Sequence, residues 1–197
     1  MGDEVSVSRF TREQRQSYRE KVQLCLDVFE RLLGTGTFDD TAETTGLEVE
    51  LNLVDERMQP ALVNAEVLAR IDDPAYQNEL GAYNIELNVD PGVLGEIAHL
   101  ENSLRASLNA AQAQAQSVGA GIVMVGILPT IMPEHLASEA WMSPSARYTA
   151  LNDSIMAARG EDLHLDIHGV ERLSVYAPNL APESAWRSRP LRPQIRR

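Results

Sequence analysis

Apolar positions along the chain change period several times, and each change marks an element. From about Thr11 to Leu33, Tyr18, Val22, Cys25, Phe29 and Leu32 recur every three or four residues, the spacing of one helical face. Thr11 with Gln14 makes a capping box, and Gly34 is a natural stop. The pattern predicts an amphipathic helix packed on the body, with Cys25 a buried structural thiol on its apolar stripe. The threonine-rich stretch 35–45 reads as a loop. The period then drops to two. Leu47, Val49, Leu51 and Leu53 alternate with Glu48, Glu50 and Asn52, as in a half-buried strand. Asp55-Glu56-Arg57 reads as a turn, and Asn64 as the cap of a short helix through Arg70. Ala82 to Asp90 repeats the alternation: Tyr83, Ile85, Leu87 and Val89 on one face, Asn84, Glu86, Asn88 and Asp90 on the other, ended by Pro91-Gly92.

A second long helix is predicted from Ile97 to Val118, with Leu100, Leu104, Leu108, Ala111 and Ala115 along one side. The apolar run Ile122 to Leu128 (IVMVGIL) predicts a central strand buried on both faces. An irregular stretch with Pro133 and Pro144 leads to a helix from Ala146 to Arg159, closed by Gly160. Leu163 to His168 is a third alternating strand, with His164, Asp166 and His168 on its polar side. Strands and helices follow no regular βαβ order. The expected class is therefore α+β: a mostly antiparallel sheet with helices packed on one side.

Charge narrows the functions. The 197 residues carry 29 acids and 17 bases, a net −12. Lys21 is the sole lysine, and the last twelve residues hold five arginines and no acid, so residues 1–185 stand at −17 (12 bases against 29 acids). Such a body repels a phosphate backbone, which argues against nucleic-acid partners. No apolar run is long enough to cross a bilayer and the first residues lack a signal's apolar segment, so the expected setting is the cytoplasm, away from membranes. One cysteine excludes an intramolecular disulfide and any multi-cysteine metal site.

The candidate chemistry lies on the polar sides of the strands. In a strand, Glu48 and Glu50 point to one face about 6.5–7 Å apart. Carboxylates held that way raise each other's pKa unless a cation sits between them. Glu86 on the second strand would complete a hard-oxygen set, and Glu79 would add a fourth donor. Such ligation suits Mg²⁺ or Mn²⁺ rather than zinc or copper. A lone Glu-x-Glu also reads as a solvated strand face, but glutamate fits strands poorly and two strands repeat the pattern. No phosphate-cradling glycine loop is present, so any nucleotide must be held by metal and arginine. Arg147 opens a helix beside Tyr148, where a guanidinium can clamp a carboxylate or phosphate; taken alone, it reads first as a surface arginine paired with an acid. His164, Asp166 and His168 form an alternative set, suited to zinc in a metal-dependent hydrolase, or simply a hydrated strand edge. His99 and His135 stand alone.

Four ordered blocks, TGLEVELNLVD, NELGAYNIELNVDPG, GIVMVGILPT and WMSPSARYTALNDSIMAARGED, resemble the N-terminal part of the type 2 glutamate–cysteine ligase-like proteins, or carboxylate–amine ligases, of the glutamine synthetase-like superfamily. The resemblance spans roughly residues 40–185. It implies a glutamine synthetase-like catalytic fold, here incomplete, and an ATP- and Mg²⁺-dependent (or Mn²⁺-dependent) ligase tied to glutathione biosynthesis. ATP would phosphorylate a carboxylate, typically that of glutamate, and an amine such as that of cysteine would form the amide. By motif, Glu48, Glu50 and Glu86 match metal carboxylates and Glu79 an upstream acid. Asn88 and Arg147 fall where substrate or phosphate is contacted, with Arg147 as the catalytic arginine. Related sequences continue into a second half of the sheet, whereas this chain turns to WRSRPLRPQIRR. The expectation is that 1–185 form the N-terminal part of the catalytic domain and that 186–197 are a basic tail foreign to it, from truncation or a shifted frame. Such a chain could be an inactive fragment or a non-catalytic binding fragment, and its open sheet edge would invite self-association into a homo-oligomer.

Overall fold

The computed structural model describes residues 9–36, 44–93, 97–185 and 192–196. The elements run α1 (Arg12–Thr35), β1 (Thr44–Val54), α2 (Asn64–Ile71), β2 (Tyr76–Asn78), β3 (Asn84–Val93), α3 (Ile97–Ser117), β4 (Gly121–Val123), α4 (Pro133–Leu136), α5 (Ala146–Arg159), β5 (Leu163–His168), β6 (Arg172–Ala177), α6 (Ala181–Ala185) and β7 (Arg192–Arg196). The larger sheet has the order β2-β3-β1-β4, all antiparallel, and β7 pairs with the Thr44–Glu48 end of β1. Five residues of the basic tail thus join the sheet. β5 and β6 form a separate antiparallel hairpin. The class is α+β, as the mixed order of periods predicts.

The two alternating strands explain the core. Val49, Leu51 and Leu53 of β1 and Ile85 and Leu87 of β3 are buried on one face, against Val67 of α2 and Ala111 and Ala115 of α3. Each large aliphatic side chain removed from water there contributes about 1.5–3 kcal/mol. The small alanines let α3 lie close to the sheet, and the Tyr76 hydroxyl meets Ser107 Oγ at 2.9 Å to tie the helix to β2. Because the side-chain period of a strand is two, the same register sends every intervening polar residue to the opposite face.

Several expectations change. The capping box of α1 is present, with Gln14 N donating to Thr11 Oγ1 at 3.2 Å and Thr11 N to the Gln14 side chain at 2.8 Å. The helix runs through Gly34, however, and ends at Gly36, whose φ of 62° is readily reached only without a Cβ. No residue of α1 is buried, and Cys25 is exposed rather than a core thiol. The physical reason is that α2 and α3 already cover the sheet's apolar face. The run 122–128 is no central strand: β4 stops at Val123 on the far side of β1, and Met124 and Ile127 are exposed. Asn52 Nδ2 donates to Val125 O at 3.0 Å, capturing backbone that a longer strand would have paired. Asn64 does not cap α2; it is the helix's first residue, and its side chain is buried in a network described below. The predicted loop at 35–45 falls largely outside the described residues.

Candidate functional site

The pairing of β1 with β3 sets three polar pairs directly opposite one another: Glu48 with Asn88, Glu50 with Glu86, and Asn52 with Asn84. Opposed side chains in such a ladder have Cβ atoms about 4.5–5.5 Å apart. β2 extends the row on the other side of β3, with Gln77 opposite Glu86. Glu79 follows β2 and is held by its own turn, its Oε2 accepting the Leu80 N–H at 3.1 Å. The structure therefore brings the sequence-predicted glutamates to one face of three adjoining strands.

Glu86 is the focus of this face. It is 5% exposed. Its carboxyl is pushed up to about 8 by burial first, then by Glu79, which stands close enough to share its proton and repels it by charge, and by the charge of Glu48; the Asn88 side chain pulls the other way. Glu86 Oε1, Asn84 Oδ1 and Asn88 Nδ2 are buried without a hydrogen-bond partner. Buried polar atoms are normally satisfied, and these three lie on the strands that carry the facing glutamates. Burial and like charge oppose ionisation here, and either a proton or a cation relieves both.

The donor chemistry fits a hard divalent cation. Among the described residues, no three His, Cys, Asp or Glu side chains form a ready-made group for a metal ion. Mg²⁺ typically keeps several waters and takes one or two carboxylates plus substrate phosphates, so the described carboxylates do not by themselves make a complete metal centre. Of the four predicted ligands, Glu86 is the one whose surroundings most require a counter-charge, with Glu50 opposite and Glu79 and Glu48 beside it.

A neutral network fixes the end of the row. Asn84 Nδ2 donates to Asn52 Oδ1 at 3.0 Å, while Asn52 holds Val125 as described. Asn64 Nδ2 reaches Gly81 O at 3.3 Å, Asn84 O at 3.0 Å and Ser143 Oγ at 2.7 Å. Ser143 Oγ donates in turn to the Glu79 carbonyl. Gly81 is packed so tightly that an added Cβ would stand 2.3 Å from Asn84 Oδ1. Sequence reasoning placed Asn52 and Asn84 on the polar face but missed the network. The available signal was asparagine, a poor strand former, recurring in step with the glutamates.

Arg147 lies in the first turn of α5, its guanidinium carbon 5.3 Å from the centre of the Tyr148 ring. Tyr148 Oη donates to Asn78 O at 3.0 Å, fixing the start of α5 beside β2.

The histidine face of β5 is committed elsewhere. Asp166 accepts two bonds from Arg172, at 2.9 and 3.0 Å, and its carboxyl is held low chiefly by that guanidinium. His168 Nε2 lies 3.2 Å from the same carboxylate, and His164 pairs with Ser174 Oγ at 3.1 Å and stacks on Tyr176 at 4.3 Å. The guanidinium already supplies the positive charge that zinc would bring. His135 Nδ1 accepts the Met132 N–H at 2.9 Å, and His99 is exposed on α3.

No family model, curated protein or solved structure matches the chain. Among the described residues, no helix is long and apolar enough to cross a membrane.

Proposed function

We propose that this chain carries the carboxylate face of an ATP- and Mg²⁺-dependent (or Mn²⁺-dependent) carboxylate–amine ligase of the glutamate–cysteine ligase type. One observation carries the reading: Glu50 faces a buried Glu86 across β1 and β3, with Glu48 and Glu79 close enough to oppose its ionisation. A row of that kind is stable when a proton or a hard cation sits in it, and a cation-held phosphate is what carboxylate activation by ATP requires. The order of sequence blocks supplies the reaction class.

In this reading Glu86 and Glu50 hold the cation, and Glu48 and Glu79 complete its surroundings directly or through water. When bound, the ion supplies positive charge against phosphate oxygens. The chain's own residues do the rest. Strands β1 and β3 keep the carboxylates at fixed spacing, which limits reorganisation during phosphoryl transfer. The Asn52–Asn84 pair and Asn64 keep the register and anchor the segment after β4. Asn88, whose side chain bears on Glu86, offers an amide donor that in this reading would turn to a substrate or phosphate oxygen. Arg147 offers a planar two-pronged donor to a carboxylate or phosphate. The substrate's carboxylate oxygen takes the terminal phosphoryl group of ATP, releasing ADP. The amine nitrogen then attacks the carbonyl carbon, phosphate leaves, and the nitrogen loses a proton.

The test is ADP release with glutamate and a panel of amines, cysteine among them, for this chain and for the chain extended by the sheet half that related sequences contain. Release requiring both substrates and falling to background in Glu50→Gln supports the ligase. Release from the extended form alone identifies this chain as its inactive part. No release from either form refutes the reading.

A further inference from the structure

The strand that the basic tail adds to the larger sheet meets it beside the carboxylate row. β7 pairs antiparallel with the Thr44–Glu48 end of β1, and the register sets Arg192 opposite Glu48, Gln194 opposite Gly46 and Arg196 opposite Thr44. Directly opposed residues of an antiparallel pair share one face of the sheet. Positions 192, 194 and 196 therefore belong to the face that carries Glu48. Glu50 is the diagonal neighbour of position 192, a separation of about 7–8 Å in such a ladder. Glu48 thus stands in register between Asn88 of β3 and an arginine of β7.

The ladder alone gives β7 a weak hold. It is five residues long, it pairs with β1 only, and Pro193 brings no backbone N–H. Proline is accepted in a strand where its nitrogen faces away from the partner, which leaves 192, 194 and 196 as the positions that bond to β1. Charge supplies the rest. The last twelve residues hold five arginines and no acid, against the net −17 of residues 1–185. The acids nearest this strand are also those assigned above to the cation. We infer that β7 is an electrostatic latch on the carboxylate face: docked on β1, its arginines compete with the divalent cation for the charge of Glu48 and Glu50, and cation binding releases the strand. The inference rests on the ligase reading only in taking this face as a cation site. Coupling between two binding events is reciprocal, so the cation loosens β7 by the factor by which β7 weakens the cation.

The test compares Mn²⁺ affinity, read by electron paramagnetic resonance, between the full native chain and three full-length variants. Arg192→Gln with Arg196→Gln removes the charge of β7. Arg192→Lys with Arg196→Lys keeps it. Gln194→Pro keeps every charge and removes the central ladder donor. At low salt the glutamine and proline variants should bind Mn²⁺ at least about fivefold more tightly than the native chain, and the lysine variant should match the native chain. The differences should vanish near 1 M salt, where the screening length falls to about 3 Å. Hydrogen exchange of residues 192–196 should quicken when Mg²⁺ is added to the native chain, and should quicken without metal in Glu48→Gln. Uptake at equal affinity in the native chain and the glutamine variant overturns the latch and leaves the cation site standing. A tighter glutamine variant beside a native-like proline variant also overturns it, because diffuse charge rather than a docked strand would then be acting. No uptake by any form refutes the cation reading itself, and the competition falls with it.

Discussion

Replacing Glu86 by glutamine should stabilise the cation-free protein at neutral and alkaline pH, although it alters a buried side chain. Glu86 has its carboxyl raised from 4.5 to about 8. In the unfolded chain it ionises near 4.5, whereas in the fold it keeps its proton until about pH 8. The fold's advantage from this group is therefore complete below pH 4.5 and is lost as pH rises through about 8. At about 1.36 kcal/mol per unit, the full interval corresponds to about 5 kcal/mol. Neighbouring polar groups that keep some hydration reduce the realised effect to about 1–2 kcal/mol. Glutamine keeps the shape, cannot ionise, and donates to Glu79 or Glu48. Glu86→Gln should thus match the native protein near pH 4.5 and exceed it by about 2–8 °C in Tm at pH 8, at about 2–4 °C per kcal/mol for a chain of this size. Thermal unfolding followed by circular dichroism from pH 4.5 to 8.5 with a chelator present measures this. A constant offset at every pH, or a variant less stable at pH 8, would refute the reasoning, because Glu86 would then already be satisfied as a carboxylate.

Three further outcomes follow from the same face. Gly81→Ala should destabilise by about 1–3 kcal/mol in urea unfolding, since the new methyl meets Asn84 Oδ1 at 2.3 Å and the Ser184 Cβ at 3.1 Å in a site with no slack. Asn84→Ala should lower stability by about 1–3 kcal/mol, because Asn52 Oδ1 loses its donor while still buried. Glu101→Ala, by contrast, should leave the midpoint within error of the native value. Among the described residues, Glu101 meets only an exposed i,i+4 arginine, Arg105, at 2.9 Å, a contact of small value in water.

How much of this was legible in the sequence depends on whether a local period or a distant contact decided the outcome. Leu47-Glu48-Val49-Glu50 and Ile85-Glu86-Leu87 fix the faces of β1 and β3, since a period of two leaves no other choice once one side is buried. The register that sets Glu50 against Glu86 comes from the ladder and could not be read from either strand alone. Nor could the raised carboxyl of Glu86, which comes first from its burial and then from Glu79 and Glu48 on two other segments. The apolar run after Gly121 departs from the expectation because periodicity carries no information about an asparagine 73 residues earlier capturing Val125 O. The stripe of α1 was read correctly as a helical face but assigned to the wrong surface; α2 and α3, from later in the chain, had taken the sheet. The β5–β6 hairpin was half visible, its second strand hidden because Arg172 to Ala177 alternates less strictly than Leu163 to His168.

Titration of Mn²⁺ monitored by electron paramagnetic resonance tests the account most directly, because only free ion gives the full signal. The native chain should remove one equivalent of Mn²⁺ from solution saturably, with Mg²⁺ competing. Glu50→Gln should abolish that uptake and Glu101→Ala should preserve it. Linear, non-saturating uptake, or equal losses in both variants, would mean that the facing glutamates of β1 and β3 act only as diffuse charge, and would contradict the account.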